Sequence, residues 1–278
     1  MVSRNPSEEI RRKAEERAVD QRPRHLERWT RRTVKWIGEQ VRGAGCEGTV
    51  YGLSGGLDSA VAGELCRRAF PESSLGVIMP CHSLVEDAED ARYVAREMGI
   101  DHTMIVLDSS FDAMQQALPR SDDPEREELA RANLKPRLRM ATLYYLAALE
   151  NRLVVGTGNR AEIHLGYFTK YGDGASDLLP LGRLTKAQVF KVAEYLGVPQ
   201  RIIDRPPSAG LWPGQTDEGE LGFTYEEIDA HLLRGSSSPE VAERIAEMHR
   251  KTEHKRTMPP MPPFTLGEGA VPVCVEDR

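Results

Sequence analysis

The N-terminal third of the chain contains the segment Thr49-Val-Tyr-Gly-Leu-Ser-Gly-Gly-Leu-Asp-Ser-Ala-Val-Ala62. Its apolar run ends at Leu53, and the Ser-Gly-Gly that follows permits a tight turn because glycine carries no Cβ. Asp58 and Ser59 come next, at a position typical of a helix start. The segment predicts a strand, a turn and a helix, with backbone N–H groups and the positive end of a helix dipole directed at one point. That arrangement suits a phosphate group.

The turn differs from a Walker A loop, since the chain has no Gly-Lys dipeptide to hold a γ-phosphate for transfer. A carboxylate beside a polyphosphate is repelled unless a cation lies between them, so we interpret Asp58 as a Mg²⁺ ligand. The alternative is a plain glycine-rich strand-to-helix turn. The Ser-Gly-Gly-x-Asp-Ser pattern resembles the pyrophosphate loop of the N-type ATP pyrophosphatases, which implies that ATP is split into an adenylated substrate and pyrophosphate.

Composition indicates a globular unit of the size of an enzyme. The chain has 278 residues, 40% of them hydrophobic, which fits one large α/β domain. We expect a basic arm at residues 1–22, a single domain at 23–260 and a Pro-rich tail at 261–278. The net charge of −6 argues against a protein that coats nucleic acid.

The sequence also indicates the cellular location of the protein and the redox state of its cysteines. No apolar run approaches the roughly 20 residues needed to span a bilayer, and the N-terminus lacks the apolar region of a signal peptide. We therefore expect a cytoplasmic protein without a membrane partner. The four cysteines show no Cys-x-x-Cys spacing, which indicates reduced thiols and no zinc site.

The order of elements predicts a doubly wound parallel α/β sheet. Helices are expected at 7–20 and 24–42, separated at Pro23, and strands and helices then alternate. The alternating elements are a strand at 75–79, a helix at 86–98 and a strand at 103–107. Ligands of such sheets bind off the carboxyl ends of the strands, so the loops at 54–58, 80–84 and 108–110 should share one rim.

A long helix is expected to follow a surface connection at 121–128. Asn133 is expected to cap its second half, which places Pro136 in a first turn, where proline is tolerated. Arg137 would then lie near a helix start. A basic side chain there is most simply part of the solvated surface.

The segment after the strand at 152–156 formally matches a Gly-x-Gly-x-x-Ala dinucleotide fingerprint. A Rossmann dinucleotide-binding fold requires an uninterrupted helix after the turn. In this segment Gly166, Gly172 and Gly174 would interrupt such a helix. The segment instead continues as Gly-Tyr-Phe-Thr-Lys170-Tyr-Gly-Asp173-Gly-Ala-Ser-Asp177, a long loop dense in charged and aromatic residues. Long loops inside compact domains tend to be functional.

Four motifs together resemble the NAD⁺ synthetase family. They are Gly-Thr-Gly-Asn-Arg-Ala-Glu162, the loop around Lys170, Pro-Ser-Ala-Gly-Leu-Trp-Pro-Gly-Gln-Thr-Asp-Glu218 and His254-Lys255-Arg256. That family amidates deamido-NAD⁺ with ATP and a nitrogen donor, on an adenine nucleotide alpha hydrolase-like three-layer sandwich. The resemblance runs from about Trp29 to Pro260. The third motif has neither helical nor strand period and is expected to act as a lid that keeps water from the adenylate.

The resemblance implies a role for each matching residue. Mg²⁺ would be held by Asp58 and Glu162. ATP would be bound by Gly52, Leu53, Ser54, Gly55, Gly56, Leu57, Asp58, Ser59, Thr157, Lys186 and Ser208. Deamido-NAD⁺ would be contacted by Arg137, Lys170, Asp177, His254 and Lys255.

We expect Lys186 and Asp173 to be the catalytic pair, each serving one half-reaction. Lys186 opens a helix behind Thr185, so ammonium and helix dipole can act on the same phosphates during adenylation. Asp173 would oppose charge at a triphosphate, but it can orient ammonia and accept its proton during amidation. The alternatives without a catalytic role are that Lys186 is a solvated lysine in a first helical turn and that Asp173 is a turn residue between two glycines.

The nitrogen source and assembly are also expectations. Only about fifty residues precede Ser54, too few for the amidase domain of glutamine-using relatives, so we expect direct use of ammonia. Similar proteins bind the dinucleotide at a two-fold interface, so we expect a homodimer through the long helix ending at Leu149. The alternatives are another adenylating amidotransferase or thiolase of the same fold, GMP synthetase-like or tRNA-modifying, and a nucleotide-binding regulatory module without catalysis.

Overall fold

The structure is a computed structural model that describes residues 23–206 and 217–263. Four parallel strands form its sheet: β1 Gly48–Gly52, β2 Ser74–Ile78, β3 His102–Met104 and β4 Arg152–Val154. Their order across the sheet is β3-β2-β1-β4. Val50 of the central strand lies opposite Leu75 on one side and Val154 on the other. The predicted doubly wound parallel sheet is confirmed.

Helices cover both faces of this sheet. They are α1 Pro23–Gly43, α2 Leu57–Ala69, α3 Val85–Met98, α4 Asp108–Ala117, α5 Pro124–Leu149, α6 Arg160–Leu165, α7 Lys186–Leu196, α8 Gln200–Ile203, α9 Asp217–Leu221, α10 Tyr225–Arg234 and α11 Pro239–Lys251, followed by a 3-10 turn at Glu253–Lys255. The predicted helix at 7–20 lies outside the described residues.

Two apolar clusters make the fold a three-layer sandwich. Side chains alternate between the faces of a strand, so Val50 and Tyr51 of β1 point to opposite sides. Val50 belongs to a cluster with Val77 and residues of α4 and α5. Tyr51 belongs to a larger cluster built from α1, α2, α3, α7 and the C-terminal helices.

The strand order places a topological switch between β1 and β4. The chain leaves β1 toward β2 on one side of the sheet, while β4 pairs with β1 on the other. Ligands of open α/β sheets bind in the crevice outside the carboxyl ends at such a point. The turn after β1 and the segment after β4 both open onto this crevice.

The predicted break in the long helix is wrong. Helix α5 runs continuously from Pro124 to Leu149 with Pro136 inside it, and its cap is Asp123, whose side chain accepts the N–H groups of Glu125 and Arg126. Asn133 does not cap a helix, because its side-chain oxygen accepts the hydroxyl of Thr169 at 2.6 Å. The helix therefore starts inside the predicted surface connection at 121–128, and Arg137 lies mid-helix.

The third strand is shorter than the predicted 103–107 and ends at Met104. Backbone hydrogen bonds nevertheless continue on one side, from Ile105 N–H to Ile78 O and from Leu107 N–H to Pro80 O. An edge strand has a partner on one side only, which explains the short regular element. Among the described residues, no helix is both long enough and apolar enough to cross a bilayer.

Candidate active site

The turn after β1 is held by its own hydroxyl groups. The Ser54 Oγ–H donates to Ser59 Oγ at 3.1 Å, and the Ser59 Oγ–H donates to Gly56 O at 2.9 Å. Gly55 has a φ of +83°, and a Cβ built on it would lie 2.7 Å from Asp87 O and 2.8 Å from Ala91 N. Only glycine fits where the turn presses on the backbone of α3.

A buried ion pair joins this turn to α7. The Lys186 ammonium donates to Asp58 Oδ2, although the two residues are 128 positions apart in the chain. Lys186 is 3% exposed. Burial alone would lower its pKa, but the carboxylates of Asp58 and Glu162 raise it above the ordinary value, so the amine stays protonated.

Glu162 completes this cluster from the first turn of α6. Burial raises the pKa of its carboxyl group, and the neighbouring Asp58 raises it further, while Lys186 opposes the shift. Its Oε2 accepts the Asn159 N–H at 3.0 Å, and the Asn159 side chain accepts Ala161 N–H and Glu162 N–H in return. Glu162 therefore closes a capping box as well as facing Asp58.

The described part of the chain contains no group of three or more His, Cys, Asp or Glu side chains able to hold a metal ion alone. Asp58 Oδ1 is nevertheless buried without a hydrogen-bond partner. An unpaired buried carboxylate oxygen is costly. The pair Asp58 and Glu162 thus offers a cation two carboxylates and leaves its remaining coordination positions open.

A second group of charged residues surrounds the 166–174 loop. Lys255 Nζ–H donates to Gly166 O and Phe168 O at 2.7 and 2.6 Å. Lys170 Nζ–H donates to His254 O at 2.5 Å, and Arg137 Nε–H donates to Lys170 O at 3.4 Å. The structure thereby brings together the four basic residues assigned to the dinucleotide, each bonded or adjacent to this loop.

Asp173 lies in the same loop. Its Oδ1 accepts the Thr169 N–H at 2.9 Å. The residue is exposed at the surface, and loss of hydration at its carboxyl group raises its pKa. A raised pKa brings the carboxyl group closer to the range needed of a general base at neutral pH.

Asp177 stands apart from these basic residues. Its Oδ2 accepts the Val154 N–H of β4 at 2.7 Å and its Oδ1 accepts the Tyr144 hydroxyl at 3.2 Å. Thr157 follows β4 on the crevice side, and Ser208 lies outside the described residues.

The chain is similar to known proteins over most of its length. The family model described as NAD synthase matches residues 29–259. The chain belongs to the NAD synthase family. An NH(3)-dependent NAD(+) synthetase from Carboxydothermus hydrogenoformans is 52% identical over 84% of this chain and 96% of its own.

Two solved structures extend the comparison of this NAD synthase family member. The NMN synthetase from Francisella tularensis is 39% identical with a TM-score of 0.80, over 86% of this chain and 99% of its own. The NH3-dependent NAD synthetase from Campylobacter jejuni, in complex with nitrate, is 30% identical with a TM-score of 0.70, over 88% and 99% of the two chains.

Sequence reasoning missed several residues of this NAD synthase site. Tyr225 lies beneath Lys186, with its ring 5.2 Å from the ammonium, and its hydroxyl donates to Asp217 at 2.8 Å. Asp229 accepts the Ala187 N–H from below the start of α7. Arg139 donates to Met79 O and Ser83 Oγ, each at 3.0 Å, and so ties α5 to the rim loop after β2.

Little in the sequence could have revealed these residues. Tyr225 and Asp229 belong to an ordinary amphipathic helix pattern, and their partners on α7, Lys186 and Ala187, are more than 35 positions away. Arg139 does carry a signal, since it lies two positions after Arg137 on the same helix. Spacing alone did not show which of the two points inward.

We predict that Gly55→Ala destabilises the protein and weakens ATP binding. A side chain forced into a left-handed backbone costs about 1–2 kcal/mol, and the contacts with α3 are backbone atoms that cannot move cheaply. We expect the free energy of unfolding in urea to fall by at least about 2 kcal/mol.

Gly43→Ala is the matched control. A Cβ there meets nothing within 4 Å, so its effect on stability should stay within about 0.5 kcal/mol. Equal stability and equal ATP affinity of the two variants would contradict the close packing of the turn.

Proposed function

We propose that the chain amidates the nicotinate carboxyl group of deamido-NAD⁺ with ammonia, using ATP. The carboxylate attacks the α-phosphorus of ATP and pyrophosphate leaves, which gives an acyl adenylate. Ammonia then attacks the acyl carbon, AMP leaves with the bonding electron pair, and one proton is released. Membership of the NAD synthase family carries this proposal, and the name of the Carboxydothermus relative supports ammonia as the nitrogen source.

The crevice between β1 and β4 is the proposed ATP site. The turn residues 52–59 and the N-terminus of α2 supply N–H donors for phosphate, with Thr157, Lys186 and Ser208 as further contacts. The Lys186 ammonium is the proposed partner of the charge that grows on the departing pyrophosphate. Burial behind the turn keeps water from competing with it.

We propose Mg²⁺ as the cation that accompanies ATP. The unpartnered Oδ1 of Asp58 supports this, because a buried carboxylate oxygen lacks a compensating contact. The pKa of Glu162 is raised first by burial and then by the neighbouring Asp58 carboxylate, and a bound cation would offset both effects. Mg²⁺ commonly binds through one or two carboxylates plus substrate phosphates, and it neutralises phosphate charge when bound.

The 166–174 loop is the proposed dinucleotide and ammonia site. Arg137, Lys170 and Lys255 place positive charge around it, which suits a pyrophosphate-linked dinucleotide, and the His254 ring beside Lys170 is a further proposed contact. Asp173 is the proposed base that orients ammonia and accepts its proton. Asp177, fixed by Tyr144 and Val154, is the proposed polar contact at the edge of the sheet.

A second candidate substrate is the corresponding mononucleotide. The Francisella tularensis protein with the TM-score of 0.80 is named an NMN synthetase. The chemistry at the carboxyl group is the same for both, so the difference lies in the adenylate half of the dinucleotide. We place either reaction in the cytoplasm, where ATP is available.

We predict AMP and pyrophosphate as products when purified protein receives ATP, Mg²⁺, an ammonium salt and deamido-NAD⁺. Separate reactions replace deamido-NAD⁺ with an alternative substrate: nicotinate mononucleotide, xanthosine monophosphate or tRNA. Deamido-NAD⁺ should give the highest kcat/KM, and glutamine should not replace ammonium. Preference for the mononucleotide would favour the second candidate, and release of ADP with phosphate would overturn adenylation.

Lys186→Ala and Asp173→Asn should separate the two half-reactions. In reactions that contain no ammonia, Lys186→Ala should slow pyrophosphate release by roughly 10²–10³-fold. Removing one electrostatic donor from a transition state typically lowers the rate by that factor. Asp173→Asn should retain pyrophosphate release and lose NAD⁺ formation, because only the nitrogen step needs its base. Loss of both signals in Asp173→Asn would assign that residue to adenylation or to folding.

We further propose a homodimer through α5. Tyr145 and Leu149 lie one turn apart on this helix and are 68% and 67% exposed, and Leu129 nearer its start is 61% exposed. Exposed apolar surface of this kind marks interaction sites.

Light scattering should give twice the chain mass, and Tyr145→Glu should halve that mass. Leu233→Glu on α10, an exposed leucine changed in the same way, should leave it unchanged. A monomeric, fully active wild-type protein would rule out the dimer.

A further inference from the structure

Helix α10, Tyr225–Arg234, packs against both short helices that carry site residues. The Arg160 side chain of α6 donates to Leu232 O at 3.0 Å. The other contact is with the start of α7, where Lys186 is the first residue. One helix outside the crevice thus holds the elements that present Glu162 and Lys186.

Asp229 makes the contact with α7. The residue is 7% exposed, and its Oδ2 accepts the Ala187 N–H at 3.0 Å. The first N–H groups of a helix have no partner within that helix, and a carboxylate beside them is stabilised by the helix dipole. Burial raises the pKa of Asp229 to about 6, while the Ala187 N–H counteracts that rise.

Tyr225 lies one turn before Asp229 on the same face of α10. Its ring lies 5.2 Å from the Lys186 Nζ, within the range of a cation–π contact. Its hydroxyl donates to Asp217 Oδ2 at 2.8 Å, which anchors the far end of the ring. One face of α10 therefore contacts the backbone next to Lys186, through the Ala187 N–H, and also the Lys186 ammonium.

We propose that Asp229, assisted by Tyr225, is a positioning residue for Lys186. The carboxylate fixes the first turn of α7 in place and in direction, and the tyrosine ring supports the ammonium where it meets Asp58. A lysine side chain has four rotatable bonds, so its charge is placed reproducibly only when its backbone is fixed. The proposal rests on the role of Lys186 in adenylation given above.

Asp229 is the residue to change, because its substitution leaves the crevice untouched. Asp229→Asn keeps an oxygen that accepts the Ala187 N–H but removes the charge, and Asp229→Ala removes both. Glu227→Gln, an exposed residue on the same helix, is the matched control. Glutamine retains the capping box that Glu227 forms with Thr224.

The first measurement is pyrophosphate release at saturating ATP and deamido-NAD⁺. We expect Asp229→Ala to lower kcat by about 10- to 100-fold, as small misplacement of a catalytic group does, with Asp229→Asn between it and wild type. The KM for ATP should change by less than about threefold, because the turn after β1, which is the proposed phosphate-binding segment, is unchanged in these variants. Glu227→Gln should match the wild type.

The second measurement tests whether Asp229 acts through Lys186. In single-turnover reactions with enzyme in excess, Asp229→Asn should cost nothing further when Lys186 is already alanine, because the group it positions is gone. Hydrogen exchange of the Ala187 N–H should accelerate in Asp229→Ala. A full additional loss in the Lys186→Ala background would reduce Asp229 to a general structural role and overturn the proposal.

Thermal unfolding of each variant identifies loss of fold. Should Asp229→Ala not fold, Asp229→Asn carries both measurements. An active wild type with unchanged kcat in Asp229→Asn and Asp229→Ala would contradict this inference alone. A wild type that releases no pyrophosphate with any nucleotide would instead contradict the proposed function.

Discussion

The buried pair between Lys186 and Asp58 is the interaction on which the site depends. An ammonium this deeply buried is tolerated only with a carboxylate beside it, since desolvation of an unpaired charge costs several kcal/mol. The pair also links the first turn of α2 to the first turn of α7. Both helix N-termini therefore converge on one crevice. The intervening chain must fold so that these two helix starts, far apart in sequence, come into contact.

That convergence explains the order of the layers. The switch between β1 and β4 opens the crevice, and Glu162 enters it from the capping box that starts α6. Asp58 and Glu162 lie in first helical turns, where the positive dipole end favours carboxylates, whereas Lys186 at the start of α7 is held against that dipole by the carboxylate of Asp58. The C-terminal helices hold these starts from outside, so residues far from any ligand influence where the charges lie.

The sequence predicted the central part of this arrangement because the signals are local. The turn at 54–58 and the helix after it are signalled by short-range sterics and hydrogen bonds, although the close approach of α3 to Gly55 is a tertiary contact. The break at Asn133 was wrong because a cap was inferred from residue type alone, while Asp123 upstream made the cap and Thr169 bonded to Asn133. A continuous helix through Pro136 depends on tertiary packing that spacing does not encode.

Pairs across long sequence distances were beyond local reasoning. Lys186 was selected through resemblance, but its contacts with Asp58 and Tyr225 follow from the fold. Likewise, Arg137 was interpreted as a residue near a helix start and lies mid-helix, yet it still reaches the 166–174 loop. A helix presents a different face at each residue, so an error in its start changes the direction assigned to every side chain.

The two halves of the site differ in their balance of acidic and basic groups. Around the turn after β1, the carboxyl groups of Asp58 and Glu162 share the single ammonium of Lys186, and the pKa of Glu162 is raised by burial and by Asp58. Around the 166–174 loop, Lys170 and Lys255 outnumber Asp173, and their ammonium groups bond to neutral backbone carbonyls. Under the proposed assignment, a polyphosphate in the first half would meet carboxyl groups and need a cation between, whereas a dinucleotide in the second half would meet ammonium groups directly. This asymmetry is the physical reason for placing Mg²⁺ with ATP and not with the dinucleotide.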